Sequence, residues 1–393
     1  MIEKVQKTKM NENEFQTEQV MTIVGGHFIH DVYSAFLAPL LPLIIEKLSL
    51  TLTMAGSLGA FMQIPAILNP FIGHLADKFS VRYFVIFAPA ITGTLMSWMG
   101  LAPNYYSLAI LLIITGISVA VFHAPAPAMV GRLSGDRIGR GMSWFMAGGE
   151  LGRTLGPIFA VWAVSTWGLS GIYRVSVLGW AASLILFWRL KDIPGSFQKT
   201  SSMRSVLPKI NTLFFPLAWI MFFRNFMVVS MTTYLPTFMS MNGASLFLSG
   251  AALSILEFAG VGGALISGTL SDRLGRKTVL LFVASLSPLL MLAFLKVSGW
   301  VLILFLLLLG FTSLSTGPVF LALVQDHFPR NRAVGNGLFL SISFLLRSLA
   351  MVLVGMAGDR IGLQTTFLWS ALISLIAIPG ILWLPSNFDS EMT

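Results

Sequence analysis

Two apolar runs determine the fold class of this chain: residues 279–295 read VLLFVASLSPLLMLAFL, and residues 301–312 read VLILFLLLLGFT. Neither run contains a charged residue. A helix that spans a bilayer needs about 20 mostly apolar residues, and each run supplies a large part of one such helix. The whole chain of 393 residues follows this pattern, since 55% of it is hydrophobic and only 10% is charged. A soluble domain carries about 25% charged residues. The composition therefore indicates a polytopic membrane protein, and the absence of cysteine excludes disulfides and thiolate chemistry.

Twelve segments meet this requirement, which predicts an all-α fold of twelve transmembrane helices. They lie at roughly residues 20–45, 53–75, 81–101, 105–131, 141–166, 171–189, 212–240, 246–269, 277–297, 299–326, 335–357 and 364–384. A longer polar connection divides them into two groups of six. We therefore expect a cytoplasmic N-terminal tail (1–19), an N-terminal bundle (20–189), a cytoplasmic linker (190–211), a C-terminal bundle (212–384) and a cytoplasmic C-terminal tail (385–393).

The distribution of basic residues predicts how the chain is oriented. With the N-terminus in the cytoplasm, 18 of the 25 lysines and arginines fall in inner segments and 4 in outer ones. Basic residues concentrate on the cytoplasmic side of membrane proteins, so both termini are predicted to lie inside the cell, at the inner (cytoplasmic) membrane. The net charge of +9 is then mostly a topology signal. It predicts contact with membrane lipid and gives no reason to expect nucleic-acid binding.

The two groups of helices repeat each other at an offset of 194 or 195 residues. The matching pairs are Gly73 and Gly268, Asp77 and Asp272, His30 and Arg224, Asp31 and Asn225, Gln63 and Glu257, Gly141 and Gly335, and Arg153 and Arg347. A repeat of this kind predicts two parallel six-helix halves with a transport site between them.

One copy of the repeat carries a family motif. The run Gly268-Thr-Leu-Ser-Asp272-Arg273-Leu-Gly275-Arg276-Lys277 resembles the helix 8–9 loop of the major facilitator superfamily, and a weaker copy spans residues 73–82. The resemblance implies two six-helix bundles that alternate access to a central site. It also implies a conformational lock that breaks as the halves rock apart, formed by Gly73, Asp77, Lys78, Arg82, Gly268, Asp272, Arg273, Gly275 and Arg276.

Two further motifs narrow the resemblance. Gly152, Gly156 and Pro157 are similar to part of the antiporter motif of drug–proton exchangers, although Ala160-Val161 stands where that motif has glycines. His27-Phe-Ile-His-Asp31, with Pro39-Leu-Leu-Pro42, Phe122-His123 and Gly148-Gly149, resembles the fosmidomycin-resistance branch. The resemblance implies proton-coupled efflux of a small organic anion or drug, such as a phosphonate.

Nine ionisable groups fall at predicted membrane depth, where a charge costs about 2.5–3.5 kcal/mol and needs a partner or a wet cavity. They are three acids (Asp31, Glu150, Glu257), three arginines (Arg153, Arg224, Arg347) and three histidines (His27, His30, His123). Proton coupling is assigned first to Asp31, because His27 and His30 share its helix face. Glu257 and Glu150 are the next candidates.

Arginines bind anions through paired hydrogen bonds, so Arg153 and Arg347 are predicted to hold an anionic substrate from the two halves, with Arg224 as a third contact. The predicted substrate site is completed by His123, Asn225, Phe226 and Tyr33.

Several alternatives stay open at this point. The three acids and the Phe/Met-rich seventh helix would equally suit a cationic or amphipathic drug, and a uniporter or importer would share the fold. A remote alternative is an intramembrane metalloenzyme that uses His27, His30, Asp31 and His123 as ligands. No H-E-x-x-H pattern or nucleophile elbow supports it. We therefore expect a monomeric transporter rather than an enzyme, with protons and a small molecule as partners and with no cofactor or bound metal.

Overall fold

The computed structural model describes residues 14–69, 72, 82–193, 210–328 and 332–385. All regular structure in these residues is helical, in twelve main helices. These are α1 (Thr17–Leu48), α2 (Leu52–Leu68), α3 (Arg82–Leu101), α4 (Tyr105–Leu133), α5 (Ile138–Trp167), α6 (Leu169–Leu190), α7 (Thr212–Met241), α8 (Leu246–Leu274), α9 (Arg276–Phe294), α10 (Val301–His327), α11 (Arg332–Ile361) and α12 (Leu363–Trp383). The predicted all-α fold of twelve helices is confirmed.

Ten of these helices are long and apolar enough to cross a membrane. The other two are α2, which is shorter within the described residues, and α5, whose 30 residues include Arg140, Glu150 and Arg153. Helix ends lie within five residues of their predicted positions, except at the end of α2. The chain is thus a multi-pass membrane protein.

Prolines interrupt four of the helices. Breaks at residues 35–36, 124–125, 314–315 and 375–376 each begin three or four residues before a proline. The four prolines are Pro39, Pro127, Pro318 and Pro379. A proline has no N–H to bond the carbonyl four residues earlier, and its ring collides with that carbonyl. The break in α4 places His123 at the last position of its first segment.

The helices pack both within and between the sequence halves. In the first half α1 packs on α5 and α3 on α6, while in the second half α8 packs on α10 and α7 on α11 and α12. The halves meet where α2 packs on α11 and where α5 packs on α8. Charged residues on α5, α8 and α11 therefore lie along the junction of the halves.

The halves are also bonded to each other at one face of the molecule. This distal face is formed by the turns at residues 49–51 and 242–245, at the opposite end of α1 from Thr17. Here the Asp359 carboxylate accepts hydrogen bonds from the Leu52 and Thr53 amides at 2.7 and 2.8 Å and from the Thr53 hydroxyl at 2.5 Å. The Tyr234 hydroxyl lies 3.0 Å from the Leu52 carbonyl and 2.8 Å from the Met351 carbonyl. We call these five residues the distal contact.

Candidate functional site

The most compact cluster of ionisable groups joins α1 to α4. His27 and Asp31 are one helical turn apart on α1, and the Nε2 atom of His27 lies 3.4 Å from Oδ2 of Asp31. The Nε2 atom of His123, at the break in α4, lies 3.4 Å from Oδ1 of Asp31 and 3.2 Å from Nε2 of His27. We call these three residues the histidine–aspartate cluster. Their ligand atoms lie within 4.8 Å of one another, close enough to share one metal ion.

Backbone carbonyls orient both rings of this cluster. Nδ1 of His27 lies 2.8 Å from the Phe145 carbonyl, and Nδ1 of His123 lies 3.0 Å from the Val119 carbonyl. A carbonyl only accepts hydrogen bonds, so each Nδ1 carries a hydrogen and donates it. In a neutral ring the other nitrogen, Nε2, is then an acceptor. With both rings neutral, the two Nε2 acceptors thus lie 3.2 Å from each other and 3.4 Å from the Asp31 carboxylate.

His30 lies beside this cluster and makes different contacts. Its side chain is fully buried, its ring stacks on Phe122 at 4.4 Å, and it lies 5.4 Å from the ring of His123. Neither of its nitrogens has a hydrogen-bond partner among the described residues. The predicted grouping of His27, His30 and Asp31 therefore holds in space, while their predicted part in proton coupling stays a prediction.

A second group of charges lies where α5 and α8 meet. Arg153 donates a hydrogen bond to Glu150 one turn earlier on α5, and its side chain is 48% exposed. Glu257 on α8 is half-buried, and its charged neighbours are Arg153, Glu150 and Arg347. It has no hydrogen bond or ion pair to another described residue. One carboxylate thus lies among charged groups from both halves.

Arg347 enters this group from α11. Its Nη2 atom donates to the Thr232 hydroxyl at 3.0 Å, while its Nε is buried without a hydrogen-bond partner among the described residues. Thr232 belongs to the π-helical turn Ser230–Tyr234 of α7, which precedes Pro236. Thr232 is not among the predicted site residues. A proline four residues later signals the distorted turn, but nothing in the sequence pairs it with Arg347.

Arg224 and Tyr33, both predicted substrate contacts, lie elsewhere. Arg224 donates to the Ser313 carbonyl and lies over the Phe320 ring at 5.9 Å, in a cleft bounded by α7, α9, α10 and α12. The Tyr33 hydroxyl donates to the Val175 carbonyl, and its side chain is buried between α1 and α6. Neither contact brings these side chains to the α5–α8 junction, and their substrate roles stay predictions.

The two other predicted substrate residues lie next to Arg224 on α7. Asn225, the repeat partner of Asp31, is buried at 7% exposure. Phe226 is partly buried, and its ring packs edge-on against Phe222 at 5.4 Å. The Phe226 ring is therefore packed against a residue of its own helix, α7.

The predicted lock residues divide into those that the structure describes and those that it does not. Gly73, Asp77 and Lys78 lie outside the described residues, whereas Arg82 donates to the Ile193 carbonyl at 2.5 Å.

In the second copy of the motif, Arg276 pairs with Asp272 at 2.5 Å and with Asp326 at 3.3 Å. These pairs join the ends of α8, α9 and α10, which all belong to one half. Gly275 has φ +89°, a turn conformation that favours glycine. A Cβ atom at Gly268 would meet only Cβ of Pro318, at an ordinary contact distance of 3.9 Å, and Arg273 is exposed.

The glycines of the predicted antiporter motif have a packing role. A Cβ atom at Gly152 would lie 2.5 Å from the Phe28 carbonyl, and one at Gly156 would lie 2.6 Å from the Val32 carbonyl. Pro157 follows inside the same helix. The motif therefore allows α5 to lie directly against α1, which brings α5 to the histidine–aspartate cluster.

Twelve helices, ten of them long and apolar enough to cross a membrane, define a polytopic membrane protein in which charged groups from the two sequence halves lie close together. The model of the Major Facilitator Superfamily matches residues 23–351, and the chain belongs to this family. The fosmidomycin resistance protein of Escherichia coli (strain K12) is 24% identical over 381 residues, which cover 92% of this chain and 91% of the relative. The multidrug resistance protein MdtG of E. coli (strain SMS-3-5 / SECEC) is 27% identical over 283 residues, 68% of this chain and 69% of the relative.

Solved structures show the same fold. A D-xylose-proton symporter superposes with a TM-score of 0.76 at 16% identity, over 97% of this chain and all of that one. A bacterial homologue of the human lysosomal transporter Spinster, inward-facing and unoccupied, superposes with a TM-score of 0.75 at 13% identity, over 94% and 95% of the two chains. The predicted membership of the superfamily is confirmed.

Proposed function

We propose that this chain is a secondary active transporter that exports a small organic anion or drug, coupled to protons, by alternating access. The observation that carries the proposal is the position of Glu257, a half-buried carboxylate with Arg153 and Arg347 as charged neighbours from the two halves. A charge at membrane depth is costly without a partner or a wet cavity. Glu257 lies at the junction of the two halves, which move relative to each other in alternating access, and this position suits a group that exchanges protons and ligands.

Arg153 and Arg347 supply the binding chemistry for an anion. Arg153 has one carboxylate partner and keeps nearly half of its side chain exposed, while one Nη atom of Arg347 is held by Thr232. Each guanidinium therefore has further N–H donors for a phosphonate or carboxylate, which can accept two parallel bonds. The relationship to the fosmidomycin resistance protein supports an organic anion such as a phosphonate as the first candidate.

The charge of the substrate determines which way the proton moves at Glu257. Glu257 has no ion pair to break, but Arg153 and Arg347 bring positive charge near it, and an anion bound by these arginines offsets that charge and favours proton uptake by the carboxylate. The proton and the anion would then be carried together, so exchange of an anion for a proton needs a different coupling group. A cation competes with the proton for the carboxylate itself, so its binding favours proton release. Direct exchange of substrate for proton at Glu257 therefore suits a cationic or amphipathic drug, which is the second candidate and agrees with the relationship to MdtG.

Proton movement on ligand binding tests both candidates. The purified full-length chain, in weakly buffered detergent solution with a pH-sensitive dye, is mixed with fosmidomycin or with a lipophilic cation such as ethidium. Proton uptake with fosmidomycin shows that the anion binds beside Glu257 and is carried with the proton rather than exchanged for it, whereas proton release with ethidium supports export of the cation in exchange for a proton. Glu257→Gln is expected to abolish either signal, whereas Glu46→Gln, an exposed glutamate at the distal end of α1, leaves it unchanged.

The same variants are then compared in proteoliposomes. An imposed pH gradient is expected to drive drug flux in the wild type and in Glu46→Gln, and not in Glu257→Gln. If the wild type shows no flux under a pH gradient with either ligand, proton-coupled transport is refuted. If Glu257→Gln stays coupled, Glu257 is not the coupling group.

A further inference from the structure

The spacing of the histidine–aspartate cluster is that of a metal site. The three separations between its facing atoms are 3.2, 3.4 and 3.4 Å. Nitrogen and oxygen ligands bind Zn²⁺ at about 2.0–2.2 Å in a tetrahedron, which places neighbouring ligand atoms roughly 3.3–3.6 Å apart. The two 3.4 Å separations go to different oxygens of Asp31, so one ion between the two Nε2 atoms would be bound by both carboxylate oxygens, or by one of them after the carboxylate turns.

The orientation of the rings agrees with this spacing. Both Nδ1 atoms donate to backbone carbonyls, of Phe145 and Val119, so both Nε2 lone pairs point into the cluster. Histidines that bind metals are typically held in this way, with the second ring nitrogen bonded to a carbonyl or carboxylate. Two lone pairs and a carboxylate repel each other unless a metal ion or a proton lies between them.

Burial and local space give independent support. Asp31 is 4% exposed, and its two carboxylate oxygens contact only the histidines of the cluster among the described residues, at 3.4 Å each. On the α5 side, a Cβ atom at Gly149 would lie 2.5 Å from Nε2 of His27 and 3.1 Å from Oδ2 of Asp31. Glycine at this position therefore leaves room beside the facing atoms. The His123 side chain is 33% exposed, which gives the cluster one accessible side.

From this geometry we propose that His27, Asp31 and His123 bind a divalent transition-metal ion of the Zn²⁺ type. Two imidazoles and one carboxylate suit Zn²⁺, Co²⁺ and Ni²⁺, whereas Mg²⁺ and Ca²⁺ prefer oxygen ligands alone. Three protein ligands leave a fourth position, on the accessible side at His123, for water or for a donor atom of a bound molecule. The ion ties α1 to α4 at the proline break. The site is separate from Glu257, so its failure would leave the proposed transport function standing.

The test is direct metal binding by the purified full-length chain, without a histidine tag. Zn²⁺ is titrated calorimetrically, and Co²⁺ is used as a spectroscopic probe because tetrahedral Co²⁺ gives strong visible absorption. We expect one ion per chain, a tetrahedral Co²⁺ spectrum, and weaker binding at acidic pH because the histidines must lose protons. His123→Gln and Asp31→Asn are each expected to lower the affinity at least about 100-fold.

Two further variants separate ligation from folding. Gly149→Ala keeps all three ligands but places a methyl group beside them, so it is expected to weaken Zn²⁺ binding in a chain that stays helical by circular dichroism. His327→Gln, at the end of α10, is the matched control and is expected to bind like the wild type. The proposal is overturned if the wild type binds no stoichiometric Zn²⁺, which would leave the cluster an imidazolium–carboxylate pair. It is equally overturned if His123→Gln and Asp31→Asn bind Zn²⁺ as the wild type does.

Discussion

Replacing Asp359 by asparagine tests whether the distal contact holds the halves together. The Asp359 carboxylate on α11 accepts three hydrogen bonds from Leu52 and Thr53 at the start of α2. Opening of the distal face requires α2 and α11 to separate, so these bonds must break. An anion at a helix N-terminus is also favoured by the helix dipole. The contact therefore stabilises the distally closed state relative to the open one.

The size of the effect follows from capping energies. A side chain that caps a helix N-terminus is worth about 0.5–2 kcal/mol, typically about 1 kcal/mol. Asparagine keeps one acceptor oxygen but loses the charge and one acceptor, so we expect a loss of about 1 kcal/mol. A free-energy change of that size shifts the ratio of open to closed molecules about fivefold.

The assay uses the natural absence of cysteine. Cysteines introduced at Glu46 and Met241, which are exposed at the distal ends of α1 and α7, carry spin labels whose separation is measured by pulsed electron resonance. Asp359→Asn is expected to raise the ratio of the long-distance (open) population to the short-distance (closed) population about fivefold relative to the wild type. Asp136→Asn, an exposed aspartate at the opposite face, is the matched control. An unchanged distribution in Asp359→Asn, or an equal change in Asp136→Asn, would refute the reasoning.

Four other substitutions test the packing and the binding site. Arg153→Ala and Arg347→Ala should each weaken fosmidomycin binding at least about tenfold, because a hydrogen bond to a charged group is worth about 1.5–3 kcal/mol. Equilibrium binding measures the affinity, with Arg137→Ala, at an exposed position, as the control. Wild-type affinity in both variants would contradict the prediction. Tyr234→Phe removes the hydroxyl that lies between two buried carbonyls and should cost about 1 kcal/mol of stability, seen as a lower unfolding temperature in detergent; an unchanged temperature would contradict it. Gly152→Leu would collide with α1 and should reduce the yield of monodisperse protein in size-exclusion chromatography, whereas a normal yield would show that the close approach of α5 and α1 is not needed.

The candidate site was only partly predictable. His27 and Asp31 are four residues apart, so helix periodicity places them on one face. Their contact with His123, 96 residues later than His27, depends on how α1 and α4 pack. The ionisable groups stand out in the sequence because charges are rare in apolar helices. Which way each side chain points is set by its neighbours, as Arg224 shows by bonding the Ser313 carbonyl within the second half.

The distal contact was not predicted at all. Thr53 and Asp359 are 306 residues apart, and each looks like an ordinary polar residue at a helix end. Tyr234 reaches Leu52 and Met351 only because glycines allow α2 and α11 to come close: a Cβ atom at Gly56 would lie 2.2 Å from the Met351 carbonyl. No local pattern reveals such a partnership.

The amino-acid sequence by itself determined the twelve helices, and it predicted the twofold repeat and the short list of charges at membrane depth. It could do so because hydrophobicity, helix period and the distortion caused by proline are local properties of a chain in a bilayer. Only the tertiary structure decided which of those charges meet. In the folded chain the residues of the histidine–aspartate cluster meet, Glu257 lies among charges of both halves, and Arg224 bonds the Ser313 carbonyl away from the α5–α8 junction. The sequence alone does not show these contacts, because they depend on small residues and free carbonyls that are far apart in the chain.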